Sequence, residues 1–238
     1  MRSNRQPAPF RAHGFSLVEV LVSMVILVVV IGAVFEQIDT MHKKSASEAI
    51  KLDMGQQARE FVDQMVHDLH MAGYPNASMY APGTADSTRI AMGLVSVSPT
   101  SIIMEGDVDN DGNVESVQIN YVPADTNDPS CPCIRRSSVI KVPGDSLSQP
   151  TAANYTETQH VFPPGTGDGQ AGEDLFAFYD GNGNLVPVGS GVDIVSNQAL
   201  ISSINTVKVN LTLLTNIPDP ASGGFMRTSL SGTARLNH

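Results

Sequence analysis

From Phe15 to Phe35 the chain reads FSLVEVLVSMVILVVVIGAVF, an apolar run broken only by Ser16, Glu19, Ser23 and Gly32. At about 1.5 Å per helical residue it extends roughly 31 Å, the thickness of a bilayer's hydrocarbon core. A secretory signal would carry a shorter apolar stretch of about 7–15 residues and then a small-x-small cleavage site, and no convincing site of that kind follows here. Arg2, Arg5 and Arg11 precede the run before any acidic residue appears. They favour a cytoplasmic N-terminus and translocation of everything beyond the span, although Lys43 and Lys44 weaken the asymmetry.

Glu19 is the anomaly within this span. A charged side chain in an apolar helix costs about 2.5–3.5 kcal/mol on insertion scales, so its presence calls for a reason. One reason is local: a carboxylate in the first turns of a helix lies near the interface and suits the helix dipole. The other is functional, and the flanking residues bear on it. Residues 11–20 read RAHGFSLVEV, a basic leader ending in Gly14, then Phe15, then Glu19 five positions after the glycine.

This arrangement resembles the prepilin signature of type IV pilins and of type II secretion pseudopilins. The resemblance implies that a membrane prepilin peptidase cuts after Gly14 and N-methylates Phe15. It also implies that Glu19 pairs with the Phe15 amine of a neighbouring subunit, an assembly contact that neutralises two charges the membrane penalises. The implied segments are a leader over 1–14, a transmembrane helix over 15–35, an amphipathic stalk helix over 36–73 and an extracytoplasmic β-rich head over 74–238.

The residues beyond Phe35 support that division. Ile38, Met41, Ala49, Leu52, Phe61, Val62, Met65, Val66, Leu69 and Ala72 recur mainly at steps of three and four, with charged residues between them. Gly73 followed by Pro75 stops the helix. Residues 67–74, HDLHMAGY, resemble the Arg-Met-Ala-Gly-Tyr-like ending of PilW-like minor pilins, with His70 in the arginine's place.

After residue 75 short alternating runs separate turn residues, the pattern of antiparallel sheet. The expected strands are 101–105, 116–122, 137–142, 175–179, 184–188, 206–214 and 228–235; 76–100, 143–172 and 189–200 read as loops. The expected class is α+β, a long N-terminal helix packed on an antiparallel head, which is the pilin fold.

One head motif carries chemistry. Asp107, Asp109, Asp111, Gly112, Asn113 and Glu115 have the D-x-D-x-D-G spacing of a calcium loop, but position twelve is Gln118 rather than a bidentate glutamate. The same residues, Asn110-Asp111-Gly112-Asn113, make a good hairpin turn, so calcium and a bare turn both fit. Asp180-Gly-Asn-Gly-Asn184, with one acid, reads as a turn alone. The two cysteines, Cys131 and Cys133, are too few for a disulfide framework or a structural zinc site. They read either as plain turn or strand cysteines or as an oxidised pair across one residue. A bridge of that kind is strained, because two residues apart on an extended chain is near the upper limit of separation.

The formal charge of −10 repels nucleic-acid backbones and argues against that partner. No G-x-S-x-G, P-loop or H-E-x-x-H pattern occurs, so no enzyme is expected. By resemblance the partners are prepilin peptidase, other major and minor pilins, the inner-membrane pilus assembly machinery and the lipid bilayer. The expected function is that of a minor type IV pilin. A pseudopilin resembling pseudopilin J is the alternative, and a tip adhesin is a lesser one.

Overall fold

The computed structural model describes residues 16–81, 87–126, 128–151, 155–165, 173–215 and 217–236. Helix α1 runs from Leu17 to Met71, 55 residues without a break, on the order of 82 Å. No proline interrupts it, and Gly32 and Gly55 are carried inside it with nothing within 4 Å of a notional Cβ. It stops where the sequence places the stop. Gly73 takes a φ of 83°, the left-handed conformation that a side chain resists, and the Tyr74 amide closes back on the Met71 carbonyl at 3.0 Å.

The helix has two regimes. Every residue from Leu17 to Ala46 is exposed, apolar ones included. From Ser47 onward one face is buried, through Met54, Ala58, Phe61, Val62, Met65, Asp68 and Leu69. This corrects the expected stripe at its near end: Ile38, Met41 and Leu52 are exposed, Leu52 at 74%, and Ala49 is exposed as well. The phase explains it. Ile50, Met54, Ala58 and Phe61 follow one another by three or four, whereas Leu52 lies two residues from Ile50, about 200° around the helix. The first tie between helix and head is at Ser47, whose hydroxyl reaches Met226 Sδ at 3.8 Å. Nearby, hydrogen bonds from Ser222 and Ser47 hold the Asp219 carboxyl down to about 2.

The head is antiparallel throughout, but it forms two sheets rather than one meander. The strands are β1 (Gly93–Val97), β2 (Ser101–Gly106), β3 (Glu115–Val122), β4 (Cys133–Ile140), β5 (Tyr155–Gln159), β6 (Phe176–Asp180), β7 (Val192–Asp193), β8 (Ile204–Leu214) and β9 (Arg227–Arg235), with a short helix α2 (Gln198–Ser203). One sheet has the order β5-β4-β3-β2-β1-β7 and the other β6-β8-β9. Strand β4 begins at Cys133, four residues before the expected start. Strands β1, β5 and β7 lie in stretches expected to be loops. The expected strand 184–188 is reduced to a single bridge between Tyr179 and Leu185, because Asp180 closes a tight turn by accepting from the Asn182 and Asn184 amides.

Strands β8 and β9 lay their inward residues on α1. Gly232 lets β9 cross the helix closely: a Cβ there would meet Val62 Cγ1 at 2.5 Å and Val66 Cγ2 at 2.9 Å. On the larger sheet, fully buried Asp68 of α1 accepts from Arg136 Nε of β4 at 2.8 Å and from Gln64 Nε2 at 2.8 Å. Buried Glu105 of β2 likewise takes Lys141 Nζ at 2.7 Å and the Met92 amide at 3.0 Å. A buried pair that loses one partner is left with an uncompensated charge, so the Asp68–Arg136 bond fixes how helix and sheet sit together.

Candidate functional site

Glu19 sits in the first turn of α1. Its amide donates to the Ser16 carbonyl at 3.0 Å, and Ser23 Oγ donates to the Glu19 carbonyl oxygen at 2.7 Å. Its carboxylate has no cation against it among the described residues. Gly14 and Phe15, the residues expected to be cut and methylated, lie outside the described residues. From Glu19 to Ser47, where burial begins, the helix rises about 42 Å. The carboxylate is therefore held far from the head, on a helix flank that the described residues leave uncovered. The segment around it is long and apolar enough to cross a membrane.

The acidic loop joins β2 to β3. Asp107 Oδ1 accepts from the Asp111 amide at 3.1 Å and Oδ2 from the Gly112 amide at 3.0 Å, while Asn110 and Gly112 take φ values of 58° and 91°. The loop is thus closed by Asp107 from beneath, as both expected readings require. Carboxylate oxygens of Asp107, Asp109 and Glu115 all lie within 4.8 Å of one another. Asp111, also expected as a ligand, is not part of that group. Asp111 accepts from the Asn113 amide at 2.8 Å and from Asn113 Nδ2 at 2.9 Å, which holds its carboxyl below the usual range. Asp107 and Glu115 are buried. Burial pushes the Glu115 carboxyl up to about 7; the Val108 amide opposes this, and the charges of Asp109, Asp111 and Asp107 add to it. A divalent cation among these oxygens would offset both the burial of the charge and the smaller repulsion from the neighbouring carboxylates.

A disulfide joins Cys131 and Cys133, whose Cα atoms are 4.2 Å apart. The stretch is not extended, so the separation expected of a straight chain does not arise. The bridge is buried at the start of β4, beside Asp128, which pairs with Arg135 and accepts from the Ser130 amide at 3.0 Å. It clasps a turn in the head, away from Glu19.

The buried Asp68–Arg136 and Glu105–Lys141 pairs were not singled out by the sequence reading. Each joins residues at least 36 positions apart, and no local spacing announces such a partner.

Residues 9–35 match the family model described as the prokaryotic N-terminal methylation motif. The match spans Gly14, Phe15, Glu19 and the whole apolar run. No curated protein and no solved structure matches the chain significantly. The motif supports a pilin-like structural role in general, anchored by the apolar helix, with processing by prepilin peptidase and association with other pilins.

Proposed function

We propose that this chain is a minor type IV pilin, cut after Gly14, methylated on Phe15, and built into a pilus through Glu19. The observation that carries the reading is Glu19 itself, a carboxylate with no cation against it among the described residues, on an apolar helix flank that none of the described residues covers. An assembly of like subunits supplies both missing items. Neighbouring helices cover the apolar flank, and the amine freed on Phe15 of another subunit meets the carboxylate. The leader stays on the cytoplasmic side of the inner membrane, and the head lies in the periplasm until the subunit is drawn into a surface pilus. The PilW-like ending at 67–74 favours a minor subunit; incorporation into a type II secretion pseudopilus is the competing outcome.

Mass spectrometry of filaments sheared from the cell surface tests this. A peptide beginning at N-methylated Phe15 is expected in the sheared pili. If deletion of the gene leaves pili intact and abolishes exoprotein secretion instead, the protein is a pseudopilin.

The same reading includes calcium as a structural ion of the head, held by Asp107, Asp109 and Glu115. The convergence of their oxygens within 4.8 Å supports it. Millimolar calcium is expected to raise the melting temperature of the full chain in nonionic detergent by about 4–8 °C. That shift corresponds to roughly 2–3 kcal/mol of binding free energy in a domain of this size. Magnesium should give a smaller shift, and Asp109→Asn should remove most of it. No shift with either ion leaves the loop as a hairpin turn.

A further inference from the structure

Where the two sheets part, the head carries an open groove of about 540 Å³ against α1. Strand β5 belongs to the larger sheet, but the chain just after it crosses to the smaller one. Val161 bridges to Leu213, the Leu214 amide donates to the His160 carbonyl at 2.8 Å, and the Phe162 amide to the Thr212 carbonyl at 2.8 Å. The crossing is made through His160 at a φ of 57°, a left-handed conformation uncommon outside glycine. Beyond Leu214 and before His160 the strands diverge, and the groove opens between them with Ile50 and Met54 of α1 along it.

Three features give the groove a chemical character. In β5, Thr158 pairs with Ile134 but Thr156 pairs with Arg135, so Glu157 is an extra residue, a bulge. Bulges re-aim side chains, and Glu157 lines the groove. Asp53 lines it from the helix, and among the described residues it has no ion-pair partner and no lysine or arginine is part of the lining. Thr158, also on the lining, is only 5% exposed, yet its hydroxyl has no hydrogen-bond partner.

We propose that this groove is a docking site for a short extended segment of another polypeptide carrying lysine or arginine between apolar side chains. Asp53 and Glu157 take the cation, and Ile50, Leu214 and Ile217, the partly exposed apolar residues of the lining, take the flanking apolar groups. The volume exceeds that of one cationic side chain, and the apolar surface beside the carboxylates matches a peptide better than a free cation. The site is separate from Glu19, and its standing does not depend on whether the chain enters a pilus or a pseudopilus.

Full-length protein in nonionic detergent micelles is titrated with fluorescein-labelled Leu-Arg-Leu-Arg-Leu amide and with Leu-Glu-Leu-Glu-Leu amide, with empty micelles as blank. Saturable binding is expected for the basic peptide only, weakening as salt rises. Asp53→Asn combined with Glu157→Gln should weaken it about tenfold, the scale of a lost hydrogen bond to a charged group. Asp53→Asn alone, on the exposed face of α1, is the variant that leaves packing untouched, and melting curves identify any variant that misfolds. Equal binding of the two peptides, binding of neither, or full affinity in the well-folded variants overturns the proposal. Competition by argininamide as strong as by the peptide also overturns it, in favour of a small-cation site.

Discussion

Replacing Glu19 with alanine is expected to yield a protein that is inserted, cut and methylated, and yet missing from filaments. The substitution removes a charge that costs about 2.5–3.5 kcal/mol inside an apolar span, so anchoring becomes easier. It leaves the stretch from Phe15 to Val18 intact, so the peptidase still meets its substrate. What is lost, under the proposed function, is the counter-charge for the Phe15 amine of a neighbouring subunit. An ion pair broken on one side in a low-dielectric environment costs about 3–5 kcal/mol, which lowers incorporation by about a hundredfold or more. Glu19→Gln should fail almost as badly, because an amide keeps the shape and a hydrogen bond but neutralises nothing. Glu19→Asp should be intermediate, since the shorter side chain must draw the amine deeper. The readout is the ratio of mature protein in sheared filaments to mature protein in the membrane. Normal incorporation of Glu19→Gln would remove the charge argument altogether, even if Glu19→Ala failed for reasons of packing.

The features legible in the sequence are those whose cause is local. The apolar stretch of α1 from Leu17, the helix stop at Gly73 and the Asp107-to-Glu115 turn each depend on residues within a few positions. The α+β class follows from one long periodic run succeeded by short alternating ones. The features that escaped depend on distant partners. Leu52 looks like part of an apolar stripe until the head fixes which side of the helix is inside. Strand β5 looks like loop because Tyr155–Gln159 contains polar residues throughout, and only its pairing with β4 makes it a strand. Asp68 reads as one more charge on a solvated face; Arg136, 68 residues away, makes it a buried one. Asp111 has the spacing of a ligand, but both its carboxylate oxygens accept short-range hydrogen bonds from Asn113.

Gly106→Ala is expected to be among the most destabilising single substitutions in the head, although alanine is the smallest change available. Gly106 ends β2 and bridges to Ala72 at the close of α1. A Cβ built there lands on the Met71 carbonyl oxygen, with the carbonyl carbon at 2.8 Å and the Ala72 nitrogen at 3.2 Å. These are backbone atoms and cannot rotate aside. The neighbouring ties also hold them, since the Gly73 amide donates to the Glu105 carbonyl at 2.9 Å and the Asp107 amide to the Tyr74 carbonyl at 2.9 Å. Relief therefore means moving the end of the helix off the sheet, which strains the Glu105–Lys141 pair on one side and the acidic loop on the other. A cost of about 3 kcal/mol follows from overpacking of this kind, or a fall in melting temperature of about 6–12 °C. Gly181→Ala, with nothing within 4 Å of its Cβ, is the matched control and should melt within about 2 °C of the parent. If Gly106→Ala melts with the control, the helix end and β2 are not in close contact, and the anchoring of the head to its stalk must be assigned to the Asp68–Arg136 bond instead.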